Sequence, residues 1–301
     1  MLSRQRKTVG PDCVFERVPA RVSIPMLGAA AGVALLSLTW FAAFHIGLVE
    51  HADLSIFRGF GELGTRPRVW SLAASISRLC NEKPYLCLCA VPVFVAVARR
   101  RLWLALEIAS ILVGANLTTY VLKQLLAHPR AESLLGGPHP LPATSWPSGH
   151  TTAATSLALC CVLAAPSRLR PFVAAGGAIF AAGVAYSLLV INAHYPSDVL
   201  GGFLVAGIWT LLGAAGVRLA DARRSASESA GSPAHPTIRQ ALAPLFAVLG
   251  IAIALAGVIA LARPGHVVSY TQLHEGFIIG AAAIGAAGSA VAAGVALALR
   301  R

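Results

Sequence analysis

The sequence predicts an all-α fold: a polytopic transmembrane helix bundle with a six-helix core and a C-terminal helix pair. Three observations carry this expectation. The 301 residues are 56% hydrophobic and only 12% charged, too few charges for the surface of a soluble protein of that size. Six apolar runs reach the roughly 20 residues that a helix needs to cross a bilayer, and two shorter ones come close. Most breaks between the runs are short and basic, as loops at a membrane surface are.

Residues 1–21 form a polar, basic arm, expected to be disordered or to rest on anionic headgroups. The first apolar run, Ile24 to Val49, is too long for a signal-peptide core and lacks a small-residue cleavage site, so it reads as a retained anchor. Glu50 to Lys83 carries Phe57, Phe60 and Trp70 among scattered charges, the composition of an interfacial helix. Pro84 to Ala98 is short and needs flanking residues to span. Leu102 to Leu122, the short Thr151 to Ala165, Pro171 to Ile191 and Val199 to Val217 complete a six-helix core over residues 22–217. Residues 218–240, with Ala, Ser, Arg and Pro concentrated between Asp221 and Pro236, read as a cytoplasmic linker. Residues 241–301 hold the final pair, Ala241 to Ala262 and Gly276 to Leu299, in which Gly276, Gly280, Gly285 and Gly288 permit close helix packing.

A net charge of +12 in a soluble protein would point to nucleic acid. Here the cations sit at segment ends, so the partner is the bilayer and no nucleic acid is expected. With the N-terminus inside, 16 of the 24 Lys and Arg residues fall in cytoplasmic loops. Both termini are then cytoplasmic, and the loop from Lys123 to His150 faces outward from a cell or inner membrane. Cys80, Cys87, Cys89, Cys160 and Cys161 lie in or beside apolar helices and Cys13 on the basic arm, which is no disulfide framework. They read as small buried hydrophobes. Cys87-x-Cys89 has no nearby His or third Cys to make it a metal site.

Three clusters of chemistry-bearing residues mark the outer segment ends. Lys123 closes one apolar run, and Arg130 follows past Pro129; one is a compact charge and the other a planar fork for two phosphate oxygens. Each taken alone is equally a snorkelling interfacial anchor. Pro147-Ser148-Gly149-His150 opens the next run, where unpaired N–H groups and the helix dipole favour an anion and Gly149 allows close approach. Ser148 also suits a plain N-cap and His150 an interfacial imidazole. His194 and Asp198, four residues apart across Pro196, allow the carboxylate to fix one imidazole tautomer. Ionisable groups at a membrane boundary are costly enough to suggest use.

Taken together, the three clusters resemble the type 2 phosphatidic acid phosphatase superfamily, whose pattern is Lys-x6-Arg-Pro, Pro-Ser-Gly-His and Ser-Arg-x5-His-x3-Asp. Here these read Lys123 to Arg130, Pro147 to His150, and Ser187 through His194 to Asp198, in order and at matching spacing over about residues 22–217. Three motifs in register are far more specific than one. The resemblance implies that His194 attacks phosphorus to form a phosphohistidine, that Asp198 orients it, and that His150 protonates the leaving group. Lys123, Arg130, Ser148 and Gly149 would then hold the phosphate, with no metal and no cofactor. The implied substrate is a membrane lipid phosphate or diphosphate: an isoprenoid diphosphate, phosphatidic acid, phosphatidylglycerol phosphate or a lipid A phosphate.

Two positions depart from the pattern. Ala131 replaces the Pro of the first motif, which loosens a turn. Leu188 replaces the Arg of the third, which costs a charge-assisted phosphate contact of about 1.5–3 kcal/mol; His128 and His139 are candidates to replace it. The missing Arg keeps two other readings open. One is a catalytically weakened lipid-binding or transport protein of the same fold, and the other a lipid phosphotransferase.

Overall fold

Among the described residues every regular element is helical. The computed structural model describes residues 20–130, 141–225 and 275–298. In chain order the helices are α1 (Ala20–His45), α2 (Gly47–Gly64), α3 (Pro67–Ser77), a 3₁₀ turn (Arg78–Cys80), α4 (Glu82–Ala98), α5 (Leu102–Leu125), α6 (Gly149–Ala164), α7 (Arg170–Val190), α8 (Pro196–Ser225) and α9 (Glu275–Ala298). Four are long and apolar enough to cross a membrane: α1, α5, α7 and α8 up to Ala220. A fifth span results if Pro67–Cys80 and Glu82–Ala98, bent by 58° at Asn81, are taken as one.

Side-chain size decides which helix sits at the centre. Of the sixteen residues of α6, thirteen are buried, and most are Ala, Thr, Ser or Cys. Such a slender cylinder lets α4, α5, α7 and α8 close on it together, because small side chains shorten the interaxial distance. Helix α1 lies along α8, and α9 packs on α8, α2 and α7. Tyr186 on α7 donates a hydrogen bond to the Ala281 carbonyl of α9 at 2.7 Å.

The structure redraws several expected boundaries. The first apolar run breaks at Ile46, so α1 ends at His45 and α2 opens at Gly47. The outer segment is two helices, not one, and Phe57 and Phe60 are not membrane anchors. They are 1% and 4% exposed, stacked on Tyr195 and Tyr186 at 4.5 and 5.7 Å; only Trp70 stays half exposed. Helix α8 continues to Ser225, through the first eight residues of the expected linker. Arg, Leu and Ala are good helix formers, and their polar admixture marks where the apolar span stops, not where the helix does. The remainder of that linker and the Ala241 to Ala262 run lie outside the described residues. Helix α9 covers the expected last run to within one residue at each end. Cys80 and Cys160 are buried as expected and the five described cysteines are free, while Cys87 is exposed.

Candidate active site

Four helix ends converge. The C-terminus of α5 carries Lys123, and the loop beyond it brings Arg130. The N-terminus of α6 carries Ser148 to His150. The C-terminus of α7 delivers the chain through Asn192, whose φ of 52° is the left-handed cap conformation that Asn tolerates. That turn leads into His194, and Pro196 then starts α8 with Asp198 in its first turn.

Asp198 is the hub. It is wholly buried; Oδ2 faces His194 Nδ1 at 3.2 Å and accepts the Tyr195 N–H at 3.0 Å. Oδ1 accepts from Arg130 Nη2 at 2.9 Å. The Asp198 backbone carbonyl accepts the Ser148 N–H at 2.9 Å, which ties the start of α6 to the start of α8. This approach requires a glycine: a Cβ on Gly202 would stand 2.8 Å from the Ser148 carbonyl oxygen and from Thr151 Cβ.

Ser148 is the N-cap of α6, with its Oγ accepting from Thr151 N and Oγ1 at 3.4 and 3.0 Å, so the bland capping role read for it is real. Lys123 donates to the carbonyls of Thr144 and Ser145 at 3.0 and 2.9 Å, which uses two of the three ammonium protons. Its Cε lies 4.0 Å from where a Gly149 Cβ would be, so the cation arches over the Gly149 backbone. His150 Nε2 pairs with Asn81 Oδ1 at 3.0 Å.

Arg130 is placed differently from the expectation. It is 3% exposed, held between the rings of Phe44 and Tyr195 at 4.1 and 4.6 Å. Besides Asp198, its terminal nitrogens donate to Ser197 Oγ at 2.6 Å, Asp53 Oδ2 at 3.1 Å and the Ala43 carbonyl at 3.2 Å. Both ends of the fork are thus engaged by protein groups. Leu188 is 2% exposed, inside a cluster with Phe60, Val184 and Phe203. His128 packs against Phe44 and His45; Ala131 and His139 lie outside the described residues.

Sequence reasoning missed Asp53. This α2 carboxylate accepts the Ser197 N–H at 2.9 Å, bonds the Ser197 hydroxyl and pairs with Arg130. Burial pushes it up to about 6, against the pull of the Arg130 guanidinium. The available signal was an acid in a stretch where burial of charge is expensive. Among the described residues no three His, Cys, Asp or Glu side chains cluster as a metal site.

Residues 102–221 match the family model of the PAP2 superfamily. Over that stretch the chain is similar to the PAP2 superfamily. The matched stretch runs from α5 through most of α8 and holds all seven expected site residues. The comparisons found no match among curated proteins and none among solved structures. The PAP2 match supports an enzyme acting on phosphate esters, by hydrolysis or phosphotransfer.

Proposed function

We propose that this PAP2 protein is an integral-membrane phosphatase that hydrolyses a lipid phosphate or diphosphate through a phosphohistidine on His194. The observation that carries the reading is the 3.2 Å pair between His194 Nδ1 and Asp198 Oδ2. A carboxylate on Nδ1–H leaves the lone pair on Nε2, the nucleophilic nitrogen, and stabilises the charge that builds as it attacks. Nε2 bonds to phosphorus as the bond to the leaving oxygen breaks, protonated His150 donates its proton to that oxygen, and the neutral His150 then takes a proton from the attacking water. Water then cleaves the phosphorus–nitrogen bond. Lys123, the Gly149 amide and the N-terminus of α6 neutralise the non-bridging oxygens, the main catalytic need in phosphoryl transfer.

Arg130 takes a supporting role here: it holds Asp198, and Asp53 holds it. With Leu188 buried as well, no arginine from the motifs reaches the phosphate, and this favours a second reading in which the phosphohistidine is discharged slowly or to an acceptor other than water. In the main reading the site faces outward from a cell membrane with both termini cytoplasmic, which the charge distribution supports. The test is phosphate release by purified protein in detergent from a panel of lipid phosphates and diphosphates, with and without chelator. Release that is lost in His194→Ala supports the proposal, and no release from any member overturns it.

A further inference from the structure

Asn81 stands at the joint between the 3₁₀ turn and α4, where Pro67–Cys80 and Glu82–Ala98 bend by 58°. It is the N-cap of α4, in extended backbone with φ −68° and ψ 156°, yet its side chain makes no capping bond. An Asn in this position ordinarily turns its oxygen back on the N–H groups of its own helix. Here Oδ1 reaches His150 Nε2 on another helix, at 3.0 Å and 69 positions along the chain. A local bond that stabilises α4 is thus given up for a contact with a site residue.

The surrounding helices fix this contact. Arg99 Nη1 at the far end of α4 donates to the Ala164 carbonyl at the far end of α6, at 2.6 Å. Between the two ends the Tyr85 hydroxyl meets Ser156 Oγ at 3.4 Å and accepts from Asn116 Nδ2 at 2.9 Å. The Tyr85 N–H donates to the Asn81 carbonyl at 2.9 Å, so the first turn of α4 is held in register with α6 and Asn81 is held beside His150. Residues 67–98 lie outside the segment that matches the family model, and none of the three motifs contains Asn81.

A carbonyl oxygen only accepts, so the bond requires a proton on Nε2 and leaves Nδ1 for the reacting oxygen. Both halves of the reaction use that arrangement. The imidazolium gives its Nδ1 proton to the leaving oxygen and keeps Nε2–H on Asn81. The neutral ring then carries its lone pair on Nδ1, where it takes the proton of the attacking water. Without the acceptor, the neutral ring is free to hold its one proton on Nδ1 and has no base there. Burial disfavours the imidazolium, and the charges of His194 and Lys123 add to this; an acceptor on Nε2–H favours it. We propose that Asn81 is a positioning residue that holds His150 in the Nε2–H form and supports its positive charge while protons move at Nδ1. This rests on the phosphatase reading.

The experiment uses the full chain in detergent and two substrates that differ in their leaving group. Dioleoyl phosphatidic acid expels an alkoxide, which needs an acid, and p-nitrophenyl phosphate expels a stable phenolate, which needs little help. Asn81→Ala should lower kcat/KM for phosphatidic acid by about fivefold and for p-nitrophenyl phosphate clearly less. It should also move the alkaline limb of the phosphatidic acid profile down by about half a pH unit, the worth of one exposed hydrogen bond. Asn81→Asp, which puts a carboxylate on Nε2–H and remains a good N-cap, should move that limb up. Equal losses on both substrates with an unmoved limb in both variants would show that Asn81 only braces α4, and would overturn the proposal. Nitrogen-15 NMR of the His150 ring in the free protein gives a readout without turnover. Neutral His150 should be Nε2–H in the wild type and a mixture of tautomers in Asn81→Ala. If the wild type hydrolyses neither substrate, the phosphatase reading falls and the ring signals alone decide the Asn81–His150 pair. A neutral Nδ1–H form in the wild type, or the same titration in all three proteins, overturns it.

Discussion

Arg130 bridges two buried carboxylates, donating to Asp198 Oδ1 at 2.9 Å and to Asp53 Oδ2 at 3.1 Å. Asp53 comes from α2, outside the matched segment, and Asp198 from the first turn of α8, so the guanidinium joins the outer helices to the carboxylate that pairs with His194. Arg130→Ala should leave two carboxylates buried together without a counter-charge, a change that costs about 3–5 kcal/mol. A fall in melting temperature in detergent, together with lost turnover, is expected. If Arg130 instead gripped phosphate directly, the variant would keep its stability and show only weakened substrate affinity.

The elevated Asp53 carboxyl gives stability a defined pH dependence. Folding raises it from 3.8 to about 6, so the folded state holds this proton more tightly than the unfolded chain. The resulting stability is full below 3.8 and lost as pH rises through 6. Wild type should therefore lose up to about 3 kcal/mol relative to Asp53→Asn between pH 4 and pH 7. Melting temperatures of the two proteins across that range measure the difference, and parallel curves would show that Asp53 keeps its ordinary affinity for protons.

The spans and two of the three motif clusters were legible because each is local. The segments around α1, α5, α7 and α8 announced themselves by apolar length, and Ser148-Gly149-His150 and His194 with Asp198 by spacing along one helix end. What sequence did not disclose depends on contacts between distant elements. Asp53 reaches Ser197 across 144 positions, and nothing near Asp53 signals that partner. Arg130 was expected on the phosphate because its type suits an anion; which anion it meets is decided by two carboxylates that only the folded bundle places beside it. Phe57 and Phe60 looked like interfacial aromatics for the same reason, since Tyr195 and Tyr186 cover them from other helices.

His194→Ala should lower turnover by about four orders of magnitude or more, as loss of a nucleophile does, while the melting temperature changes little. Acid-labile phosphate should be trapped on wild type quenched during turnover. Retained activity in His194→Ala would assign the nucleophile elsewhere. A chelator should leave wild-type turnover intact, and a strict metal requirement would require a different reaction.

Topology is checked at the C-terminus. Phe203 of α8 meets Gly288 of α9, and Gly207 meets Val291, so the two helices run the same way and both leave the bundle on the face opposite Asp198. A reporter fused after Arg301 should be active only in the cytoplasm if the site faces outward. Activity only in the periplasm would invert the assignment and put His194 on the inner side.

Leu188 is the position where the chain departs most from the family pattern, and its surroundings now decide what introducing the arginine would do. The side chain is 2% exposed, packed with Phe60, Val184 and Phe203, and its carbonyl accepts the Ala193 N–H at 2.9 Å, which shapes the turn into His194. Arg at this site would enter an apolar cluster, and an unpaired buried charge is strongly destabilising. Leu188→Arg should therefore lower expression and melting temperature and reduce phosphatase activity, while the volume-matched Leu188→Met should cost less than about 1.5 kcal/mol and keep activity. A gain of phosphate affinity in Leu188→Arg with an undiminished melting temperature would mean that the guanidinium escapes the cluster and reaches the pocket. In that case the family's third cation is absent only by substitution, and the site around Lys123 and Gly149 still has room to receive it.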